Sequence, residues 1–122
     1  MATVLVIDDD PLFREIARDM LEAAGHAVRL ADDGSAVDRI EADPAPDLAV
    51  VDMLMPERDG IETIPDLRRR WPGVKLIAVS AGARGLTSDL LLRAARAMGA
   101  DASLEKPIDR GALLQLVDSL LG

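Results

Sequence analysis

Short apolar runs and amphipathic segments alternate along the whole chain. Runs rich in β-branched residues predict five strands, over about 3–7, 27–31, 47–51, 74–79 and 101–104. Apolar residues recur at helical spacing over about 11–24, 34–42, 60–70, 87–98 and 109–121. The pattern therefore predicts a five-fold alternation of strand and helix.

The predicted strands lack the polar alternation of a sheet with one face in water. Residues 48–51, for example, are apolar at every position, and such a strand needs cover on both faces. Helices divided between the two sides of a parallel sheet supply that cover. We therefore expect an α/β fold of three layers, formed by a single domain over residues 1–122.

Composition narrows the classes of function. The formal net charge is −8 at pH 7, which argues against direct nucleic-acid contact because phosphate backbones attract basic surfaces. The chain has no cysteine, which is compatible with a reducing cytoplasm. No apolar stretch reaches the length of a membrane span, and the N-terminus shows no signal peptide. We expect a cytoplasmic protein without a membrane anchor.

Three of the predicted strands end in reactive polar residues. The first leads into Asp8 and Asp9, the third into Asp52 and the last into Lys106. Because the carboxyl ends of neighbouring parallel strands share one edge of the sheet, we expect these side chains to meet in one crevice. Crowded carboxylates repel unless a cation joins them, and a divalent metal and the lysine ammonium are the candidates. An aspartate beside a bound metal is well placed to accept a phosphoryl group.

Five ordered polar positions resemble the signature of bacterial two-component response-regulator receiver domains, the CheY-like superfamily. They are Asp8, Asp9, Asp52, Ser80 and Lys106. The resemblance covers the whole chain and extends to the loop over 52–60, which reads D-x-x-M-P-x-x-D-G. It implies a flavodoxin-like (βα)5 sandwich with sheet order 2-1-3-4-5, in which Asp9 and Asp52 face each other at the switch point. It also implies a cis peptide bond before Pro107.

The resemblance assigns roles to the residues of the crevice. It implies that Asp52 accepts a phosphoryl group from a histidine kinase or a histidine phosphotransfer protein. Mg²⁺ is expected to be bound by Asp9, Asp52 and the backbone carbonyl of Leu54, with Asp8 acting partly through water. Lys106 is expected to hold one phosphoryl oxygen as a point charge.

The response to phosphorylation is expected to begin at Ser80. Its hydroxyl would donate to a second phosphoryl oxygen and draw the following loop inward. The resemblance places a downstream protein partner on the face formed by the helix over 87–98, the strand over 101–104 and the helix over 109–121. Ser103 stands where the family often has an aromatic residue, so we expect the signal to travel through backbone or loop movement.

Two hypotheses concern the loops beside the crevice. We hypothesise that the loop from Gly82 to Leu86 is a mobile lid that brings Arg84 toward the phosphoryl group; the alternative is an inert loop. Leu54 and Gly82 flank the approach of a hydrolytic water and offer it no side-chain hydrogen bond. This environment predicts slow self-dephosphorylation.

Three further patterns concern the helices. Asp10 and Asp109 are typical N-caps. Pro65 lies inside the predicted helix over 60–70 and predicts a kink or a late start. The helical spacing over 87–98 places Leu92 among polar neighbours, so Leu92 is expected to face solvent.

Two alternative functions stay open. The first is an aspartyl-phosphate hydrolase of the haloacid-dehalogenase type, since residues 8–10 contain an Asp-x-Asp, although Leu12 stands where that motif prefers Thr or Val. The second is a receiver-like scaffold that never needs phosphate, against which the intact set of five polar positions counts. The preferred interpretation is a single-domain receiver without an output domain. It would be a phosphoacceptor rather than an enzyme, with at most self-phosphorylation from small donors and slow self-dephosphorylation.

Overall fold

The computed structural model describes residues 2–32, 39–41, 44–53, 60–81 and 88–122. Within these ranges the chain forms five strands, β1 (Thr3–Ile7), β2 (Ala27–Ala31), β3 (Leu48–Asp52), β4 (Lys75–Ser80) and β5 (Ala102–Glu105). It also forms four helices, α1 (Pro11–Ala23), α2 (Gly60–Arg70), α3 (Ser88–Ala97) and α4 (Arg110–Leu121). All five predicted strands are confirmed, each within one residue of its predicted bounds.

Four of the five predicted helices are confirmed close to their predicted ranges. The helix predicted over 34–42 lies mostly outside the described residues. Helices α3 and α4 therefore correspond to the fourth and fifth predicted helices. Across the described ranges, no helix combines the length and the apolar character that crossing a membrane requires.

All five strands form one parallel sheet in the order β2-β1-β3-β4-β5. Val4 of β1 pairs with Val28 of β2 on one side and with Leu48 of β3 on the other. The chain thus moves outward from β1 to β2 and then returns to β3 on the opposite side of β1. This reversal opens a crevice between the carboxyl ends of β1 and β3. The predicted flavodoxin-like order is confirmed.

Alternate residues of the strands fill two cores, one on each face of the sheet. In β1, Leu5 and Ile7 enter the first core, whereas Val4 and Val6 enter the second. Helices α2 and α3 cover the first core, and α1 and α4 cover the second. Each fully buried Leu, Ile or Val contributes roughly 1.5–3 kcal/mol of hydrophobic stabilisation. The predicted three-layer arrangement is therefore confirmed.

The leucine of α3 that faces solvent is not the predicted one. Leu92 is only 7% exposed, whereas Leu90 is 53% exposed. Leu90 and Leu92 lie on opposite flanks of the apolar face of the helix, so hydrophobic spacing alone does not decide which of them faces the sheet. Contact with β4 and β5 decides it, because Leu92 and Ala95 enter the first core.

The predicted helix caps are confirmed. Asp10 accepts a hydrogen bond from the backbone N–H of Leu12 at 3.0 Å, and Asp109 accepts one from that of Ala112 at 2.9 Å. Each bond satisfies a donor that the first helical turn leaves unpaired. After α1, Gly25 adopts φ +95°, a conformation that glycine reaches without steric cost.

Of the two outcomes predicted from Pro65, the late start is wrong, and the kink stays a prediction. Helix α2 begins at Gly60 and continues through the proline. A proline inside a helix costs about 3 kcal/mol, because it removes one hydrogen bond and crowds the preceding turn. Ile64 and Leu67 beside it are fully buried, and burial at roughly 1.5–3 kcal/mol for each side chain offsets that cost.

Candidate functional site

The carboxyl ends of β1 and β3 carry the acidic residues. The register aligns Ile7 of β1 with Val51 of β3, so the following residues, Asp8 and Asp52, lie at the same edge of the sheet. Both are buried, whereas Asp9 is exposed. Each of the three aspartates offers a carboxylate oxygen within 4.8 Å of the others. The predicted convergence of these three residues is confirmed.

Lys106 reaches the same crevice from the end of β5. Its Nζ lies 2.8 Å from Asp8 Oδ2 and 3.7 Å from Asp52 Oδ2. The peptide bond between Lys106 and Pro107 is cis, as predicted. Only 20% of the lysine side chain is exposed, so water screens these ion pairs less than it screens pairs on an open surface.

Burial and neighbouring charges shift two pKa values in the crevice. Burial raises the pKa of Asp8 because it disfavours the charged form, and the contacts with Lys106 and the Asp10 N–H oppose this rise without cancelling it. Burial acts to lower the pKa of Lys106. Its contact with Asp8 and the charge of Asp52 outweigh that effect, so the pKa of Lys106 is raised. The lysine therefore remains a cation in the crevice.

Asp8 is held in place by its backbone and by α1. Its Oδ1 accepts the backbone N–H of Asp10 at 2.9 Å, and its carbonyl oxygen accepts a hydrogen bond from Arg14 Nη1 at 2.7 Å. Its own N–H donates to the carbonyl of Ala31 at 3.1 Å. Asp8 Oδ2 is buried, and its close neighbour is the Lys106 ammonium at 2.8 Å. This oxygen therefore keeps acceptor capacity for a cation or a water.

The donor set fits a hard divalent cation. Carboxylate oxygens are ligands that Mg²⁺ prefers, and Mg²⁺ keeps several waters, which an open site allows. Asp9 is exposed to solvent, and the buried Oδ2 of Asp8 has spare acceptor capacity. The structure thus brings together three acidic residues that could bind a metal. The carbonyl of Leu54, a further predicted ligand, lies outside the described residues.

Ser80 ends β4 at the same edge of the sheet. It is buried, and it lies one position beyond Val79, which pairs with Asp52. Its carbonyl oxygen accepts the backbone N–H of Lys106 at 3.1 Å. The structure therefore places Ser80 where the sequence predicted it, and its role as a hydroxyl donor stays a prediction.

Two residues of α1 at this site were not predicted. The Nζ of Lys106 lies 4.5 Å from the centre of the Phe13 ring, and Arg14 binds the carbonyl of Asp8. Helical periodicity assigns Phe13 to the apolar face of α1 and Arg14 to the polar face. It does not reveal that Phe13 contacts Lys106 or that Arg14 contacts Asp8. Closeness in sequence to Asp8 is a signal for Arg14, whereas the contact between Phe13 and Lys106 joins residues far apart in the chain.

Comparison with known sequences gives a consistent result. The family model for the response regulator receiver domain matches residues 4–118. The DNA-binding transcriptional regulator NtrC of Azospirillum brasilense is 34% identical over 122 residues, which cover 98% of this chain and 24% of that protein. Response regulator MprA of Mycolicibacterium vanbaalenii is 37% identical over 119 residues, which cover 97% of this chain and 49% of that protein. The chain spans half or less of the length of these relatives.

Solved structures agree in fold. The chemotaxis protein CheY4 of Vibrio cholerae superposes with a TM-score of 0.84 at 25% identity, over 99% of each chain. A CheY-like receiver domain protein of Methanospirillum hungatei superposes with a TM-score of 0.83 at 24% identity, over 99% of this chain and 94% of that one. None of these matches supports the haloacid-dehalogenase alternative. The chain belongs to the response regulator receiver domain family of two-component systems.

Proposed function

We propose that this receiver domain accepts a phosphoryl group on Asp52 and thereby controls the binding of a protein partner. The observation that carries the proposal is the convergence of three carboxylates and one lysine in a single crevice. Asp52 lies beside the Lys106 ammonium, so an incoming phosphoryl group would meet a cation. Members of the receiver family are signalling domains, so we propose that the chain acts as a phosphoacceptor rather than as an enzyme.

The transfer step uses the residues of the crevice in distinct ways. A carboxylate oxygen of Asp52 attacks phosphorus in line, and the new O–P bond forms as the P–N bond of a phosphohistidine breaks. The electron pair of that bond stays on the imidazole nitrogen of the donor. The Lys106 ammonium contacts one phosphoryl oxygen and offsets its charge, and the Ser80 hydroxyl donates to another.

Mg²⁺ is the proposed cofactor. Asp9, Asp52 and the carbonyl of Leu54 would bind it, with Asp8 acting partly through water. When bound, the ion supplies positive charge that offsets the repulsion between the phosphoryl oxygens and the carboxylates. The arrangement of the aspartates supports this assignment, because three carboxylates share the crevice with Lys106 as their cationic neighbour.

The proposed partners are proteins. The donor is a histidine kinase or a histidine phosphotransfer protein, and a downstream protein binds the face of α3, β5 and α4. The exposure of Leu90 on α3 and of Met98 directly after it supports contact at this face. We propose no direct nucleic-acid contact for these 122 residues, because their net charge is −8. A cytoplasmic location is also part of the proposal.

Two earlier hypotheses depend on residues outside the described ranges. The lid hypothesis concerns Arg84, and the prediction of slow self-dephosphorylation concerns Leu54 and Gly82. Both therefore stay predictions. Ser103 is half-buried and pairs with Ala78 in the ladder between β4 and β5, which supports a backbone route for the signal.

Labelling with acetyl phosphate tests the proposal. With Mg²⁺ present, the wild-type protein should gain the mass of one phosphoryl group, and the Asp52→Asn variant should gain none. Asp47→Asn is the matched control, because it removes the same charge from the opposite edge of the sheet and should label like the wild type. Removal of Mg²⁺ by a chelator should abolish labelling. Intact-mass spectrometry measures each result.

Three outcomes would contradict the proposal. Equal labelling of the wild type and Asp52→Asn would place the phosphoryl group elsewhere. Repeated turnover of small phosphate esters would indicate a hydrolase. Partner binding that is the same for the wild type and Asp52→Asn, with and without phosphodonor, would indicate a phosphate-independent scaffold.

A further inference from the structure

Phe13 lies against the ammonium of Lys106. The Nζ atom is 4.5 Å from the centre of the ring. Phe13 belongs to the first turn of α1, is half-buried and packs against the core that α1 shares with α4. It is the single phenylalanine of the chain. The ring is therefore anchored in the core on one side and contacts the functional crevice on the other.

The ring gives the ammonium a third stabilising neighbour. Asp8 Oδ2 and Asp52 Oδ2 approach Lys106 Nζ at 2.8 and 3.7 Å, and the electron-rich face of the ring attracts the same cation. A further carboxylate in that position would add negative charge to a crevice that already contains three acidic residues. It would also compete with a phosphoryl oxygen for the lysine N–H groups. An aromatic ring attracts the cation without adding net charge.

We propose that Phe13 is a positioning residue for phosphoryl transfer, whose ring holds the Lys106 ammonium where it meets the incoming phosphoryl oxygen. The inference rests on the proposed function, because it takes Asp52 as the phosphoacceptor. Lysine carries its charge on a flexible four-carbon stem, so an unsupported ammonium spends less time in one place. If Phe13 served only core packing, a leucine of similar apolar character would replace it without effect on Lys106.

The first measurement detects the contact and needs no phosphoryl transfer. The chain contains two lysines, Lys75 and Lys106, so protein labelled with ¹³C-lysine gives two sets of side-chain NMR signals. The ring should shift the methylene protons beside the Lys106 ammonium upfield in the wild type and in Phe13→Tyr. Phe13→Leu should lose this shift. Lys75, exposed at the start of β4, is the internal control.

The second measurement is the rate of labelling by acetyl phosphate with Mg²⁺. Phe13→Leu should lower the rate about two- to fivefold, as expected for the loss of one cation–π contact. Phe13→Tyr should restore most of the rate, since Phe13 lines an apolar cavity of about 360 Å³ that has room for a hydroxyl. Met20→Leu is the matched control, because Met20 packs against the same core two turns further along α1.

A double-mutant cycle separates positioning from packing. In a Lys106→Met background, Phe13→Leu should cause no further loss of rate, because the ring has no cation left to hold. An equal loss in that background would overturn the inference, as would an unchanged rate in Phe13→Leu on the native background. Should Phe13→Leu fold poorly by circular dichroism, Phe13→Met takes its place in both measurements.

The failure of this inference and that of the proposed function give different results. A wild-type protein that does not label, or labels equally after Asp52→Asn, refutes the proposed function and the positioning role with it. Normal labelling of the wild type together with unshifted Lys106 signals refutes the role of Phe13 alone.

Discussion

Aspartates occur at both edges of the sheet, and the two edges use them differently. At the amino edge, Asp47 Oδ2 accepts the backbone N–H of Thr3 at 2.9 Å, and Asp101 Oδ2 accepts that of Leu76 at 2.8 Å. At the carboxyl edge, three carboxylates crowd within 4.8 Å of one another beside a lysine. The first edge ties strands together, whereas the second concentrates charge.

The direction of the strands explains this difference. A parallel strand begins with N–H groups that need acceptors and ends with carbonyl groups that need donors. Asp47 and Asp101 directly precede β3 and β5, so their carboxylates find backbone donors. Asp8 and Asp52 at the carboxyl edge lie close to each other, and Lys106 supplies the cation that both contact. For these four aspartates, the end of the strand therefore determines whether the carboxylate joins two strands or shares a cation with another carboxylate.

Among substitutions at the two edges of the sheet, the largest effect is expected from Asp9, the exposed carboxylate of the crevice, and it concerns Mg²⁺ affinity. Asp9→Asn should weaken Mg²⁺ binding about ten- to a hundredfold, roughly 1.4–2.8 kcal/mol, because a charged ligand is lost. Asp10→Asn removes the same charge one residue away and keeps an N-cap side chain, so its effect should be less than about twofold. Isothermal titration calorimetry measures both. Equal losses would show that net charge, rather than ligand placement, governs binding.

The next largest effect is a loss of stability, expected for a substitution at the amino edge. Asp101→Ala should lower the free energy of unfolding by about 1–2 kcal/mol, because the Leu76 N–H loses its acceptor and Arg68 loses an ion pair of 2.8 Å. Urea unfolding followed by the fluorescence of the buried Trp71 measures it. Mg²⁺ affinity should stay unchanged. A variant that loses stability and Mg²⁺ affinity together would show that the two edges are coupled.

A smaller effect is expected at Asp8, where a substitution should increase stability rather than reduce it. In metal-free protein, Asp8→Asn should raise the free energy of unfolding at neutral pH by about 1 kcal/mol, because burial disfavours the ionised carboxyl more than the contact with Lys106 favours it. Burial raises the pKa of Asp8 in the folded state, so the folded protein binds this proton more tightly than the unfolded chain does. The stability contributed by the carboxyl therefore falls as the pH rises from its ordinary pKa through the raised one.

Asparagine does not titrate, whereas Asp8 becomes protonated at low pH. The stability gained by Asp8→Asn should therefore shrink as the pH falls toward about 4. Urea unfolding across that pH range checks the slope. A variant less stable than the wild type at every pH would mean that the pairing of Asp8 with Lys106 outweighs the cost of burial.

The smallest effect is expected at Asp47. Asp47→Ala should cost about 0.5 kcal/mol, because its bond to the Thr3 N–H is exposed and water can replace it. Its backbone bonds to Thr3 and Lys75 remain in the variant. Faster hydrogen exchange at the Thr3 amide, with Asp47→Asn retaining protection, measures the loss. If Asp47→Ala lowered the free energy of unfolding as much as Asp101→Ala does, the exposed hydrogen bond of Asp47 would be worth as much as the partly buried one of Asp101.

The strands and the acidic cluster could be predicted because each depends on local signals. Buried parallel strands are uninterrupted apolar runs, and polar residues mark their ends. The apolar face of α3 could be predicted, but the burial of Leu92 and the exposure of Leu90 could not. The two leucines flank that face and are equally apolar, so only packing against the sheet distinguishes them. The same limit applies to Phe13 and Arg14, because their contacts with Lys106 and Asp8 depend on how α1 packs against the carboxyl edge of the sheet.

One backbone hydrogen bond links Ser80 and Lys106, the two residues proposed to contact the phosphoryl oxygens. The Lys106 backbone N–H donates to the Ser80 carbonyl at 3.1 Å, across neighbouring strands whose register places Ser80 beside Glu105. A movement of Ser80 toward a phosphoryl oxygen would therefore also act on the backbone of Lys106. Ser103 has no aromatic ring whose rotation could transmit this change. The signal would therefore leave the crevice through a joint movement of the carboxyl ends of β4 and β5.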